Sequence, residues 1–335
     1  VFMNITVRRF TCKSCGHFGF EDVSHLVNPR KSYTNKLAHF IGDLSYSMTI
    51  SDISKHFGLH WNTVFEIVKA RLKRSVPKVT DLRELSCIGV DEIAIKKRHT
   101  YMTIISDHET GRVVYAKEGR SRDSISPFLK RLKRLNVDIR VVTMDMWRPY
   151  ISEVSHILPS ATIVLDKFHI VSNLNKAIDM VRKHEYHTVS KEEQSVVKGS
   201  RYLLLKHRNN LEDNAKTRLS KLFSINKNIS TAYQLKESFN QMWNHKNIDR
   251  AKSFLLKWCD EVFESNIKPL ISFAKSMIKN QILILNYFKY RMTNAKIEGL
   301  NNKIKVLKRK AYGYRNNENF ILNIYNLHNK KYRLL

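Results

Sequence analysis

The spacing of apolar and polar positions divides the chain before any residue is read for chemistry. Residues 1–30 hold a short basic strand pattern, ITVRRF, followed by CKSCGHFGF. From 36 to 74 the apolar positions recur at helical spacing. LAHFIGDL opens this region, Thr49 is an N-cap for ISDISKHF, Gly58 breaks the pattern, and HWNTVFEIVKARLKR continues as another helix. Ser75–Glu84, with Pro77, reads as a linker. From Ser86 the pattern becomes that of strands: CIGVDEIAI, TYMTIISD and RVVYAKEG are apolar and β-branched, with a turn at DHETG. SISPFLKRLKRL is an amphipathic helix, IRVVTMD a fourth strand, WRPYISEVSHIL a helix and ATIVLD a fifth strand. Three strands in a meander and then alternating helix and strand predict a mixed sheet covered by helices. Residues 167–290 are helical in pattern, 294–310 form one more helix, and a basic, aromatic tail comes last.

Composition narrows the partner. The 335 residues suffice for about two domains, and 42% hydrophobic residues suffice for a core. Lys+Arg number 59 against 30 Asp+Glu, a net charge of +29. Such a balance points to a polyanion, most simply nucleic acid, with a ribosomal-type or membrane-surface protein as the alternative. No apolar run approaches the ~20 residues of a membrane span, and VFMNITVRRF is not a signal peptide. Four cysteines without a secretory signal suggest a reducing cytoplasm.

In TISDISKHFGLHWNTVFEIVKARLKR the spacing is that of a helix-turn-helix. Ile50, Ile53 and Phe57 line the first helix, and Val64, Ile67 and Val68 face back from the second. His60, Trp61, Asn62 and Thr63 open the second helix, where base edges are read, and Arg71, Lys73 and Arg74 would lie near phosphates. The plainer alternative is an ordinary αα-hairpin. Cys12-x-x-Cys15 is half of a zinc ribbon; a structural Zn²⁺ takes four ligands, and neither His17 nor His25 has persuasive spacing. The site is therefore incomplete, and the alternative is two free thiols. Cys87 and Cys259 read as small core residues.

Three carboxylates stand against the basic background. Asp91 follows the apolar run Cys87–Val90, Asp145 closes the fourth strand, and Glu298 lies in NAKIEGLNNKIK. Strands one and four are commonly neighbours in a sheet of this order, so the two aspartates would share one edge. Glu298 comes from a helix with an apolar stripe of Ile297, Leu300, Ile304 and Leu307 beside a polar one of Glu298, Asn301, Lys305 and Arg309. Taken singly, each acid is more simply a turn, cap or solvated residue. Together, in so basic a setting, they suit Mg²⁺ or Mn²⁺, with two ions ~3.5–4 Å apart serving phosphodiester chemistry.

The segments GVDEIAIKKRHTY, VVTMDMWRPY, IVLDKFHIV, TNAKIEGLNNKIKVLKR and KAYGYRNNENF, in this order, resemble the ISL-three family of bacterial insertion-sequence transposases. These are DDE transposases with a ribonuclease-H-like catalytic domain. The resemblance implies that Asp91, Asp145 and Glu298 are the catalytic triad. It also implies that Asp166 and His169 of DKFH are close to the site, and that an all-helical insertion fills about 170–290. Asp166 and His169 read equally well as a cap and a packed histidine. The domains would be a partial zinc-ribbon-like segment at 1–30, the helix-turn-helix at 36–75, a catalytic domain at 85–310 and a basic tail at 311–335. The fold class is then α/β (α+β). Lys303, Lys305, Lys308, Arg309, Lys310 and Tyr312–Arg315 would grip DNA near the cut. The expected partners are element ends and target DNA, bound by a homo-dimer or larger assembly at the bacterial nucleoid in the cytoplasm. The competing functions are a non-catalytic DNA-binding protein, such as a repressor or decayed transposase, and a ribonuclease-H-like nuclease.

Overall fold

The computed structural model describes residues 3–96, 100–311, 313–314 and 316–328, so Tyr312 and Arg315 of the predicted basic grip lie outside the described residues. The chain forms two compact units, Lys78–Asn302 and the combination of Val1–Pro77 with Lys303–Leu335.

The discontinuous unit begins with a hairpin of β1 (Arg9–Thr11) and β2 (Phe18–Phe20). Its turn carries the cysteine pair and Gly16, whose φ of +71° is the left-handed conformation that glycine adopts without strain. Three helices come next: α1 (Asn35–Leu44), α2 (Ile50–Phe57) and α3 (Trp61–Lys73). Thr34 and Thr49 cap the first two, each hydroxyl accepting a backbone N–H of the first turn, at 3.2 and 3.1 Å. Gly58 ends α2 at φ +61°, and three residues later α3 begins. Ile41, Ile53, Val64, Ile67, Val68 and Leu72 form the core of this bundle.

In the continuous unit, the stretch read as a linker holds a short helix, α4 (Val79–Arg83). Leu82 is fully buried and Leu85 nearly so; their burial, rather than local propensity, makes this a packed element. The sheet comprises β3 (Cys87–Lys96), β4 (Thr100–Asp107), β5 (Val113–Glu118), β6 (Val141–Met144) and β7 (Thr162–Leu165) in the order β5-β4-β3-β6-β7. Only β4 runs against the rest: it pairs antiparallel with both β3 and β5, whereas β3–β6 and β6–β7 are parallel. This is the ribonuclease-H-like arrangement. α5 (Arg122–Arg134) and α6 (Arg148–Ile157) make the crossovers and bury Ile125, Phe128, Leu129, Leu132, Tyr150 and Val154.

A helical array continues the chain: α7 (Lys167–Glu185), α8 (Lys191–Lys198), α9 (Arg201–Leu205), α10 (Asp213–Ile225), α11 (Lys227–Gln241), α12 (Ile248–Glu264), α13 (Lys268–Lys279) and α14 (Gln281–Tyr290). Phe239, Trp258 and Phe273 pack ring to ring at its centre, with centroids 4.7 to 6.0 Å apart. Its buried side chains and those of one face of the sheet, among them Ile88, Val90, Val142 and Leu165, form one hydrophobic cluster. α15 (Ala295–Lys310) then runs across the division between the units. The stretch read as a tail is also ordered as helix: α16 (Asn317–Tyr325) places Leu322 in the core of the α1–α3 bundle, and Lys69 pairs with Glu318 at 3.0 Å. No described helix is long and apolar enough to cross a membrane.

Candidate active site

Sheet register builds the site. Val90 pairs with Met144, and Met144 with Leu165, so Asp91, Asp145 and Asp166 each stand one residue further along three neighbouring parallel strands. Parallel strands bring the residues at their carboxyl ends together at one edge of the sheet. His169 comes from the first turn of α7, three residues after Asp166. Its Nδ1 lies 2.7 Å from Asp145 Oδ2 and its Nε2 lies 4.0 Å from Asp166 Oδ2. One ligand atom from each of Asp91, Asp145 and His169 falls within 4.8 Å of the other two, the only such group of three or more His, Cys, Asp or Glu among the described residues.

Every one of these groups is held. Asp91, 7% exposed, accepts the Glu92 N–H on Oδ1 at 2.7 Å and the Asn301 side-chain N–H on Oδ2 at 2.6 Å. Asp166 accepts the Asn294 backbone N–H at 3.2 Å. Asp145 Oδ1 is buried and has no hydrogen-bond partner among the described residues. Burial, and then the neighbouring Asp145, push the Asp91 carboxyl up to about 6. Burial also raises Asp166. For His169 burial works downward, but the Asp145 hydrogen bond and the surrounding carboxylates outweigh it, so the imidazole is raised. The site thus concentrates negative charge in a half-dry edge, which suits a cation.

Two further side chains at this edge were not singled out in the sequence. Glu92 makes a close ion pair with Arg120, 2.6 Å between Oε1 and Nε. The Arg120 guanidinium lies 4.1 Å from the Trp147 ring centroid and 5.1 Å from that of Tyr101, and Trp147 Nε1 donates to the Arg120 carbonyl at 3.1 Å. Burial pushes Glu92 up to about 7 against the opposing pull of Arg120. A clamp of this kind ties the segment after β6 to β3. Its only sequence signals were the acid next to Asp91 and the tryptophan two residues after Asp145.

The third acid of the expected triad stands apart. Glu298 is exposed in the first turn of α15 and is not in the group formed by Asp91, Asp145 and His169. The helix itself does reach the site. Ile297 is buried against β3, where a Cβ added to Gly89 would come within 2.0 Å of its Cδ1. Lys296 Nζ donates to the carbonyls of His108 and Glu109 at 3.2 and 2.7 Å, and His108 Nε2 lies 3.0 Å from the Thr293 carbonyl. The residue that meets Asp91 is Asn301, one turn beyond Glu298.

In the other unit, the residues expected to read DNA open α3. His60 is its N-cap and accepts the Asn62 N–H on Nδ1 at 3.3 Å, Trp61 is 45% exposed and stacks on Phe65 at 5.0 Å, and Asn62 is exposed. Thr63 is half-buried. Arg71, expected at a phosphate, is paired with Asp43 and lies over the Tyr46 ring. Lys305 and Arg309 are exposed and Lys308 half-buried. Cys12 and Cys15 lie on the hairpin turn as free thiols with no third ligand gathered beside them among the described residues. The Ser14 hydroxyl, 3.0 Å away, and backbone N–H groups bring Cys12 down to about 6.

Sequence comparison assigns the family. The profile of the ISL3 transposase family, described as Transposase, matches residues 88–324. The transposase for insertion sequence element IS1001 of Bordetella parapertussis is 31% identical over 328 residues, covering 97% of this chain and 80% of that protein. The transposase for IS1557 of Mycobacterium tuberculosis is 25% identical over 279 residues, 76% of this chain and 63% of that protein. Among solved structures, the Drosophila P element transposase strand transfer complex aligns over 91% of this chain and 94% of its own at a TM-score of 0.41 and 12% identity, too loose a likeness to argue from. The family match spans the sheet, the helical array and α15, and on it the chain belongs to the ISL3 family of DDE transposases.

Proposed function

We propose that this chain is the DNA transposase of a bacterial insertion sequence, binding the element's terminal inverted repeats and carrying out metal-dependent strand cleavage and transfer. The observation that carries the catalytic reading is the pair Asp91 and Asp145, level on adjacent parallel strands, with a buried Asp145 oxygen that has no hydrogen-bond partner among the described residues. The donor set fits a hard divalent cation: two carboxylates with an imidazole alongside. Mg²⁺ or Mn²⁺, when bound, would lower the pKa of the attacking oxygen and stabilise the leaving one, and two ions would serve both roles. Asp91 and Asp145 hold the charge in place, His169 fixes one Asp145 oxygen, and Glu298 is the third acid of this reading. No side-chain base is needed. Water first hydrolyses a phosphodiester and frees a 3′-OH; that hydroxyl then attacks a target phosphodiester and displaces its 3′ oxygen.

Recognition falls to the helix-turn-helix, with His60, Trp61, Asn62 and Thr63 on base edges, and to Lys305, Lys308 and Arg309 on the backbone. Joining two element ends to one target calls for at least two copies of the chain on DNA. The test uses a labelled element end with Mg²⁺, Mn²⁺ or Ca²⁺. Wild type should cleave and join strands, and Asp91→Asn and Asp145→Asn should each lose about 10²-fold or more of both activities while still shifting DNA. Cleavage without joining would make the protein a nuclease, and binding alone in every metal would overturn catalysis.

A further inference from the structure

Helix α15 reaches the aspartate centre through an amide. Asn301 Nδ2 donates to Asp91 Oδ2 at 2.6 Å, a contact between residues on different elements, 210 apart in sequence. Its other amide atom, Oδ1, is buried and has no hydrogen-bond partner among the described residues. Asp145 Oδ1 at the same centre is likewise buried and bare. Unpaired buried oxygens are costly in a finished structure, and here two of them stand on residues of one site. With Nδ2 committed to the Asp91 carboxylate, Oδ1 is left as an acceptor at that centre, and a neutral amide oxygen of this kind can ligate a hard cation. Two contacts fix the helix in this position. Ile297 is wedged against Gly89, and Lys296 is tied to the carbonyls at 108 and 109.

We propose that Asn301 serves the Asp91–Asp145 centre as a neutral oxygen donor to the divalent cation through Oδ1, while its N–H orients Asp91. This rests on the metal-dependent reading above. It adds a ligand from α15 that is independent of Glu298, and one that needs no deprotonation.

Mn²⁺ binding to the full-length protein without DNA tests it, read by calorimetry and by the relaxation of water protons, with thermal melting as a check on folding. Asn301→Ala should weaken Mn²⁺ binding roughly 10-fold or more, within the range for losing a group beside a metal. Asn301→Asp, which keeps the shape and an oxygen, should bind at least as tightly as wild type. Asp91→Ala should abolish binding. If Asn301→Ala melts like wild type and binds Mn²⁺ as tightly, the assignment is wrong although the metal centre stands. If wild type and Asp91→Ala bind Mn²⁺ equally, or neither binds, the metal centre itself is wrong and Asn301 falls with it.

Discussion

His169 takes one oxygen of Asp145 and leaves the other bare. That division is the most informative single-residue fact at the site, because a carboxylate free to rotate would not present a fixed donor. His169→Ala should therefore lower cation affinity about 10- to 100-fold without unfolding the protein, measured by Mn²⁺ titration beside a melting curve. A variant with unchanged affinity would show that the imidazole merely packs. At this scale the sequence was legible where chemistry followed an apolar run: Asp91 follows one inside β3, Asp145 follows one at the end of β6, and parallel pairing makes them level. Asn301 was visible only as one polar position on a helix. Whether Glu298 or Asn301 faces Asp91 depends on how α15 is rotated about its axis against the sheet. That rotation is set by Ile297 meeting Gly89, a contact between distant residues that no local pattern encodes.

Short elements show the same limit. Helices α2 and α3, with their capping threonine and the left-handed Gly58, follow from local rules and were legible in the sequence. The helix inside the presumed linker and the one inside the presumed tail were not, since each is short and is stabilised by what it packs on: Leu82 in the sheet's core, Leu322 in the bundle's. The exposed start of α3 gives the element-scale prediction. Changing His60, Trp61, Asn62 and Thr63 together to Ala should erase preference for element ends over random DNA in a gel-shift competition. Non-specific binding should keep its steep salt dependence, because phosphate contacts made elsewhere supply that term. Retained preference would place recognition on another element. Arg71 pairs with the exposed Asp43, so Arg71→Ala should weaken DNA binding less than the loss of an unpaired surface cation would.

A net charge of +29 means that the folded molecule carries considerable self-repulsion when no polyanion is present. Protonating carboxylates adds to it, so the acids that are buried in good hydrogen bonds matter to the whole. Glu185, 7% exposed in the helical array, is one: burial alone would raise it, but the amides of Asn226 and Asn228, at 2.7 and 3.0 Å, with His184 and Thr188, hold it below its usual 4.5. A carboxyl depressed in the folded state contributes stability that is present above its unfolded pKa and is lost as pH falls through the folded one. Urea midpoints should therefore drop as pH is lowered below about 4.5. Glu185→Gln should start less stable at neutral pH and show a shallower drop; an unaltered slope would remove Glu185 from the acid response. The helical array was readable as helix throughout, but its sharing of one core with the sheet was not, because that continuity depends on which faces meet.

The missing side chain at position 89 makes the site a lock keyed by shape. Gly89→Ala leaves every acid in place, yet its methyl would collide with Ile297 Cδ1 and force either that side chain to turn or α15 to retreat from Asp91. Activity should fall while DNA binding persists. Ile297→Val, which trims the colliding atom, should act as a suppressor and restore strand cleavage in the double variant. Such a pair would let the helix be moved on and off the aspartates by one carbon atom, giving a graded control over cutting that leaves the chemistry of the acids untouched.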